Sequence, residues 1–361
     1  VIYPRHSLKN DWNERMFEKK FIEDAITRSA ETKVDRRRLL AMAGIGAMGS
    51  AAAMLVAEPA LASGRGKWNG EGDHEHPGHE SEHPGDESDH PGHESEGQGN
   101  GSKAPSDASI LNFALNLEYL EAEFYLRAVT GVGLADGMTT GKGKRGPVSG
   151  GRAVQFQTPL IRKYAEEIAA DEKAHVAFLR SALGGAAVSR PSISLDASFS
   201  AAATAAGLIQ PGEVFDPYAN EINFLLAAFI FEDVGVTAYK GAAGFIRNKT
   251  FLDAAAGLLA VEAYHAGIIR TTLYAQGVAT PALYSSVQKI SDARDSLDGA
   301  TDLDQGIGTA AVANLVPTDA NGLAFSRTTG QVLNVVYLNP DSVEAGGFFP
   351  NGVNGSIHHS D

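Results

Sequence analysis

The sequence predicts an all-α chain built on a four-helix bundle, with a long crossover between its second and third helices. Three observations carry this reading. Four segments between residues 105 and 280 repeat apolar residues at helical spacing. Each apolar stripe is broken at its middle by a carboxylate, or by a carboxylate and an imidazole. The stretch joining the second segment to the third, 184–217, is too long for a simple turn and must return the chain across the bundle.

The chain reads in four parts. In residues 1–62, Asp35-Arg36-Arg37-Arg38 precedes an uncharged run of 19 residues, Leu39 to Ala57, of which eleven are Ala, Gly or Ser. The run is long enough to span a bilayer but weakly driven to stay there. Ala60-Leu61-Ala62 follows with small residues at the spacing of a signal-peptidase site. The segment resembles a twin-arginine export signal, although Asp35 stands where Ser or Thr is usual. The expected partner is the twin-arginine export machinery, with cleavage near Ala62/Ser63. The mature protein is expected in the periplasm or outside the cell, with no stable membrane span.

Residues 63–104 form a linker. Over 76–96 a seven-residue unit opening His-Pro-Gly is repeated three times without one apolar residue, so a disordered segment is expected. His74, His76, His79, His83, His90 and His93 alternate here with carboxylates. Weak metal binding and a solvated acidic spacer both fit that composition. Ten of the chain's acids lie in 71–97, so most of its net charge of −14 is local. The acidic balance still argues against a nucleic-acid partner. There is no cysteine. That excludes disulfides, thiol nucleophiles and Cys-ligated zinc or iron–sulfur clusters.

The bundle, 105–280, carries the chemistry. The first helix, about 107–130, aligns Leu111, Leu115, Glu118, Ala122 and Tyr125. The second, about 159–183, opens at Thr158-Pro159 and aligns Ile161, Ile168, Glu172, His175 and Leu179. The third, about 218–245, aligns Leu225, Ala228, Glu232, Val236 and Tyr239. The fourth, about 249–276, aligns Leu258, Glu262, His265 and Ile269 before Gly277 and Pro281 stop it. An unpaired carboxylate in a core costs several kcal/mol. Four converging stripes that each carry one imply a shared cationic partner. Glu172 to His175 and Glu262 to His265 are both Glu-x-x-His, which sets the two groups on one helical face, and each motif is followed five residues on by Arg180 or Arg270. Glu118 and Glu232 are each followed seven residues later by Tyr125 and Tyr239, so a helix pair is repeated within the chain. The two histidines are the only ones between residues 103 and 357.

One Glu from each of two helices and Glu-x-x-His from each of the other two resembles the dimetal-carboxylate pattern of ferritin-like bundles. The run from Leu111 through Glu118 to Tyr125, and the Gly346-Gly-Phe-Phe-Pro-Asn-Gly-Val-Asn-Gly355 segment, are similar to the desiccation-related branch of that superfamily. The resemblance implies two divalent ions, Fe or Mn, held by Glu118, Glu172, His175, Glu232, Glu262 and His265. It also implies a role in oxidative or desiccation stress, through ferroxidase-like or peroxide-consuming chemistry. Two alternatives stand beside this: dismutation of peroxide as in manganese catalases, and a non-enzymatic protective protein braced by metal. A rubrerythrin-type peroxidase with its own electron-transfer domain would need cysteines. Tyr125 and Tyr239 read equally as core aromatics or as groups orienting the metal carboxylates. Glu121 and Glu123 read as solvent-facing helix formers, with Glu121, one turn from Glu118, also an alternative ligand; Glu166, Glu167 and Asp171 read as the exposed side of the second helix. Arg180 and Arg270 read either as neutralisers of buried acids or as surface groups.

In the last part, 281–361, a helix is expected near 282–296 and a strand over Gln331–Leu338, between Thr328-Thr329-Gly330 and Asn339-Pro340. The rest is expected to have little regular structure and to pack on the bundle or on a neighbouring subunit of a homo-oligomer. His358-His359 offers a surface site for adventitious metal.

Overall fold

The computed structural model describes residues 104–361. The export segment and the linker with His74, His76, His79, His83, His90 and His93 lie outside the described residues. The helices are α1 (Asp107–Thr130), α2 (Pro159–Leu183), α3 (Ala197–Ala205), α4 (Glu221–Ala243), α5 (Lys249–Ala279), α6 (Ala282–Asp295) and α7 (Thr329–Tyr337). α1 packs along α2 and α4 along α5, and the pairs meet through α1 against α4 and α2 against α5. This is the ferritin-like four-helix bundle, with α3 lying in the crossover.

Local chemistry sets the helix ends. The Ser106 side chain accepts from the Ser109 N–H to start α1, and Gly131 ends it in the left-handed region at φ 77°. Pro159 fills the first turn of α2. Asn220 and Asn248 cap α4 and α5 by accepting from two backbone N–H groups each. Asp107 also accepts from the N–H groups of Arg247 and Asn248, tying the start of α1 to the start of α5. α4 is apolar on almost every side because it is central: the bundle covers one face, and α6 and α7 cover another.

The 131–158 loop is stitched to the crossover. Its strand β1 (Val148–Gly150) pairs in parallel with β2 (Ile193–Leu195), with Val148 opposite Ile193. Residues 331–338 correct the expected strand, since 331–337 lie in α7 and Leu338 ends it at φ 54°. Thr328 and Gln331 form a reciprocal capping box, and Val332, Val335 and Val336 lie at helical spacing against the core. Burial of that face outweighs the β preference of its valines. The Gly346–Gly355 segment then folds back. Phe348 stacks edge-on against Phe199 and Phe231, and Gly347, at φ 44°, lies so near Tyr337 that a Cβ would come within 2.6 Å of its carbonyl carbon. Asn354 is the latch: its N–H donates to Asn116 Oδ1 (3.0 Å) and its amide donates to Lys144 O and Ser189 O.

A buried ionic chain joins the 281–361 part to the bundle. Arg270 of α5 and Arg294 of α6 both donate to Asp233 of α4, at 2.7 and 3.0 Å. Arg294 also pairs with Asp304, and Arg327 donates to Asp304 at 2.8 Å and to Asp298 at 2.5 Å. Three arginines meet three aspartates, so the chain is neutral where water is excluded.

Candidate metal centre

Helical spacing points the polar breaks of all four stripes into the bundle axis. Glu118 from α1, Glu172 and His175 from α2, Glu232 from α4, and Glu262 and His265 from α5 are all buried, none more than 6% exposed. Their donor atoms form two groups that share Glu172: Glu118, Glu172, His175 and Glu262 in one, Glu172, Glu232 and His265 in the other. The structure therefore brings all six sequence-selected residues together.

Glu172 sits at the middle. Its Oε2 lies 3.6 Å from His175 Nδ1 and its Oε1 lies 2.9 Å from His265 Nδ1. His175 Nδ1 is also 3.1 Å from Glu118 Oε2 and 3.5 Å from Glu262 Oε1. His265 Nδ1 lies 3.7 Å from Glu232 Oε2. Close as they are, both oxygens of Glu172, both of Glu262, Glu232 Oε2 and His265 Nδ1 make no hydrogen bond. Six converging polar atoms left without a partner in a core would cost several kcal/mol. Two cations would satisfy them all, and hard carboxylate oxygens with imidazole nitrogens are the donors Fe and Mn accept. The residues present fit the group.

The electrostatics agree. Burial pushes the Glu118 carboxyl up to about 8, against the pull of His175. Glu232 and Glu262 are raised by burial, aided by like charge. Burial also opposes ionisation of Glu172, but the imidazoles facing its two oxygens outweigh it and hold that carboxyl below the usual range. Burial works against charge on His265, yet Asp171 and the surrounding carboxylates push it up to about 11. His175 is raised for the same reason, with Glu118 the main attractor.

The tyrosines cross between the halves. Tyr125 of α1 donates its hydroxyl to Glu232 of α4, and Tyr239 of α4 donates to Glu118 of α1. Each phenol fixes one oxygen of a terminal carboxylate and leaves the other for an ion. Asp171 reaches across from α2 to His265 Nε2 at 3.4 Å.

Four expectations are corrected or resolved by burial. Glu121 is not on the solvent face. It is buried, its carboxyl is raised well above the usual value by burial and by like charge, chiefly of Glu262, and its Oε1 is 3.5 Å from where a Cβ on Gly235 would stand. Glu123 is buried too, paired with Arg127 (2.9 Å) and Arg190. Its partner Arg190 comes from the crossover, a contact no local periodicity shows. Arg270 is fully buried in the ionic chain, whereas Arg180 lies nearer the surface and donates to Tyr119 Oη at 2.5 Å. Asp171, half-buried, is the one member of its exposed group that meets the site. The signal for Glu121 was its position one turn after Glu118, on the same stripe. At Glu344, His358 and His359 a further Glu/His group forms on the surface.

Comparison with known proteins gives a consistent answer. The family model of the ferritin-like domain matches residues 106–275. The desiccation-related protein PCC13-62 of Craterostigma plantagineum is 36% identical over 242 residues, covering 63% of this chain and 76% of that protein. The ferritin-like catalase Nec2 of Nesocodon mauritianus is 30% identical over 269 residues, covering 70% of this chain and 85% of that protein. No solved structure matches.

Proposed function

The chain belongs to the ferritin-like superfamily, in its desiccation-related branch, and from its buried donor set we propose that it binds two divalent ions, Fe or Mn, and consumes peroxide by dismutation under oxidative or desiccation stress. Glu118, His175 and Glu262 would hold one ion and Glu232 and His265 the other, with Glu172 common to both groups. The six partnerless donor atoms are the observation that carries this reading. Bound in that setting, a pair of such ions supplies redox chemistry toward small oxygen species.

The protein's own groups narrow the reaction. Burial of every ligand admits only small reactants, which suits peroxide and dioxygen better than an organic substrate. Dismutation turns two peroxides into one dioxygen and two waters, with no outside reductant. That suits a chain with no cysteine to relay electrons. Catalase chemistry in the name of one relative supports the same choice. Tyr125 and Tyr239 orient the terminal carboxylates. Glu121, buried beside the site with its carboxyl raised by burial and by like charge, is placed to hold and return a proton there. A cavity of about 20 Å³ lined by Leu117, Leu120, Gly235 and Phe348 borders Glu121.

Metal analysis of the purified protein, together with oxygen evolution from peroxide, tests the reading. The expected result is two Fe or Mn per chain and one dioxygen for every two peroxides consumed. Glu121→Gln should keep the metal and slow turnover roughly 10²-fold, the usual size of a lost proton-transfer group. Metal with neither oxygen evolution from peroxide nor oxygen uptake with Fe(II) would end the enzymatic reading and leave a braced protective protein. Oxygen uptake with Fe(II) in place of evolution from peroxide would make it a ferroxidase.

A further inference from the structure

We propose a second metal site on the surface, formed by Glu344, His358 and His359, that takes a single borderline divalent ion such as Zn²⁺. It is separate from the buried centre and shares no residue with it. His359 Nε2 lies 2.7 Å from Glu344 Oε1 and His358 Nε2 lies 3.6 Å from the same oxygen. The donor atoms of all three residues lie within 4.8 Å of one another. Tetrahedral Zn²⁺, with bonds of roughly 2.0–2.1 Å, holds its ligand atoms about 3.3 Å apart. The two separations, 2.7 and 3.6 Å, bracket that value, so small side-chain rotations complete the site. The imidazole rings stand side by side with centroids 4.7 Å apart, and both turn Nε2 toward the carboxylate. Among the described residues no Lys or Arg pairs with Glu344. The exposed side leaves the remaining coordination positions to water.

What distinguishes this group from a chance histidine pair is its frame. Glu344 follows Val343 and His359 precedes Ser360, and those two neighbours are locked together. The Val343 N–H donates to Ser360 Oγ at 2.8 Å, the Ser360 N–H returns to Val343 O at 2.9 Å, and Ser360 Oγ donates to Asp341 O at 2.9 Å. Ser360 is itself buried. On the other side the buried Tyr337 of α7 donates its hydroxyl to His358 O at 3.0 Å. Beyond the pair, the Asp361 N–H donates to Asn334 Oδ1, and Thr328 donates to the Asp361 carboxylate. The backbone of both ligand segments is therefore already ordered. An arriving ion fixes only side-chain rotamers, which lowers the entropic cost of binding relative to a chain ordered ligand by ligand. One carboxylate oxygen and two imidazole nitrogens are donors suited to Zn²⁺, Cu²⁺ or Ni²⁺ rather than Ca²⁺ or Mg²⁺.

The test is a calorimetric titration of the full chain with Zn²⁺, with resident Fe and Mn counted separately by mass spectrometry. The wild type should bind one more Zn²⁺ per chain than the His358→Asn/His359→Asn variant, because any binding by the 71–97 histidines is common to both. Glu344→Gln should weaken that one site at least tenfold and keep the resident metal. All three side chains are at the surface, and an unchanged Tm without Zn²⁺ verifies the fold of each variant. Equal Zn²⁺ stoichiometry in wild type and the double variant would overturn the site. Unaltered affinity in Glu344→Gln would overturn the three-ligand assignment.

Discussion

The α1–α2 half and the α4–α5 half of the bundle carry the same spacing of Glu, Tyr, Glu-x-x-His and Arg, yet they surround it differently. Arg180 reaches Tyr119, the residue after Glu118, while Arg270 reaches Asp233, the residue after Glu232. The contact is repeated, but in the first half a half-buried arginine reaches a buried phenol and in the second a fully buried arginine reaches a carboxylate inside a neutral ionic chain. One turn beyond Glu118 stands the buried Glu121; one turn beyond Glu232 stands Gly235. A Cβ at Gly235 would come within 2.4 Å of Glu262 Oε2, so the second half gives up a side chain to make room for the site. Asp171, just before Glu172, backs His265 from across the bundle, and the matching position before Glu262 is the apolar Val261. The repeat preserved the groups that face the centre and let their supports diverge. Two ions bound there would sit in unequal surroundings.

Substitutions at shared and unshared ligands test that inequality most severely. Glu172 faces both imidazoles, so Glu172→Ala should abolish both metals. Glu232→Ala should remove one ion and weaken the other, because it belongs to one group alone. Metal counted per chain after desalting checks this. One metal retained in Glu172→Ala would show that Glu172 does not bridge.

The matched arginines come next. Arg270→Met leaves Asp233 facing Arg294 alone and strips donors from the carbonyls of Gly306 and Asn314, a loss of about 3–5 kcal/mol for a broken buried pair. At about 2–4 °C per kcal/mol, Tm should fall by roughly 10 °C. Arg180→Met loses neutral contacts to Tyr119 and Thr140 O, about 1 kcal/mol and a few degrees. Scanning calorimetry separates them. Equal drops would mean that the ionic chain adds nothing to what the surface contact provides.

Much of this was legible in the sequence because it is periodic. All four bundle helices fall within a few residues of where the spacing of apolar residues puts them, and the two Glu-x-x-His motifs face inward as one-face geometry requires. What was not legible depends on partners distant in the chain. Glu123 looks like a surface acid until Arg190 arrives from the crossover, and Arg270 reads equally as a surface group or a neutraliser of buried acids until Asp233 and the carbonyls of Gln305 and Gly306 meet it. Residues 331–338 misled for a different reason. Their valines favour a strand locally, while the capping box at Thr328 and the apolar face against α4 select the helix. Glu121 shares the stripe of Glu118, but helix-former preference argues for solvent, and only the bundle shows that its carboxyl has nowhere else to go.

A further effect of modest size tests the charge balance of both halves at once. In the metal-free chain Glu118 of the first half is pushed up to about 8 by burial, and its value in an unfolded chain is 4.5. Between those values the folded chain keeps a proton that the unfolded chain has released, so each rise in pH favours unfolding. His265 of the second half, at about 11 against 6.5, adds the same slope from pH 6.5 upward. Glu172, held low, acts in the opposite sense only below about 4.5, outside this window. The stripped protein should therefore lose stability steadily from pH 5 to pH 8. Because these groups exchange protons among themselves, the net difference stays below one proton and the fall is about 1–2 kcal/mol. Bound ions would take the place of those protons, so the loaded protein should be nearly flat across the same range. The gain in Tm on adding Mn²⁺ should then widen as pH rises, and binding should release protons across this range, no more of them at pH 8 than at pH 6. Melting curves of stripped and loaded protein at four pH values measure both slopes. A stripped protein that gained stability toward pH 8 would mean that its carboxylates are already ionised without metal, and that the two halves are balanced by charge from elsewhere in the core.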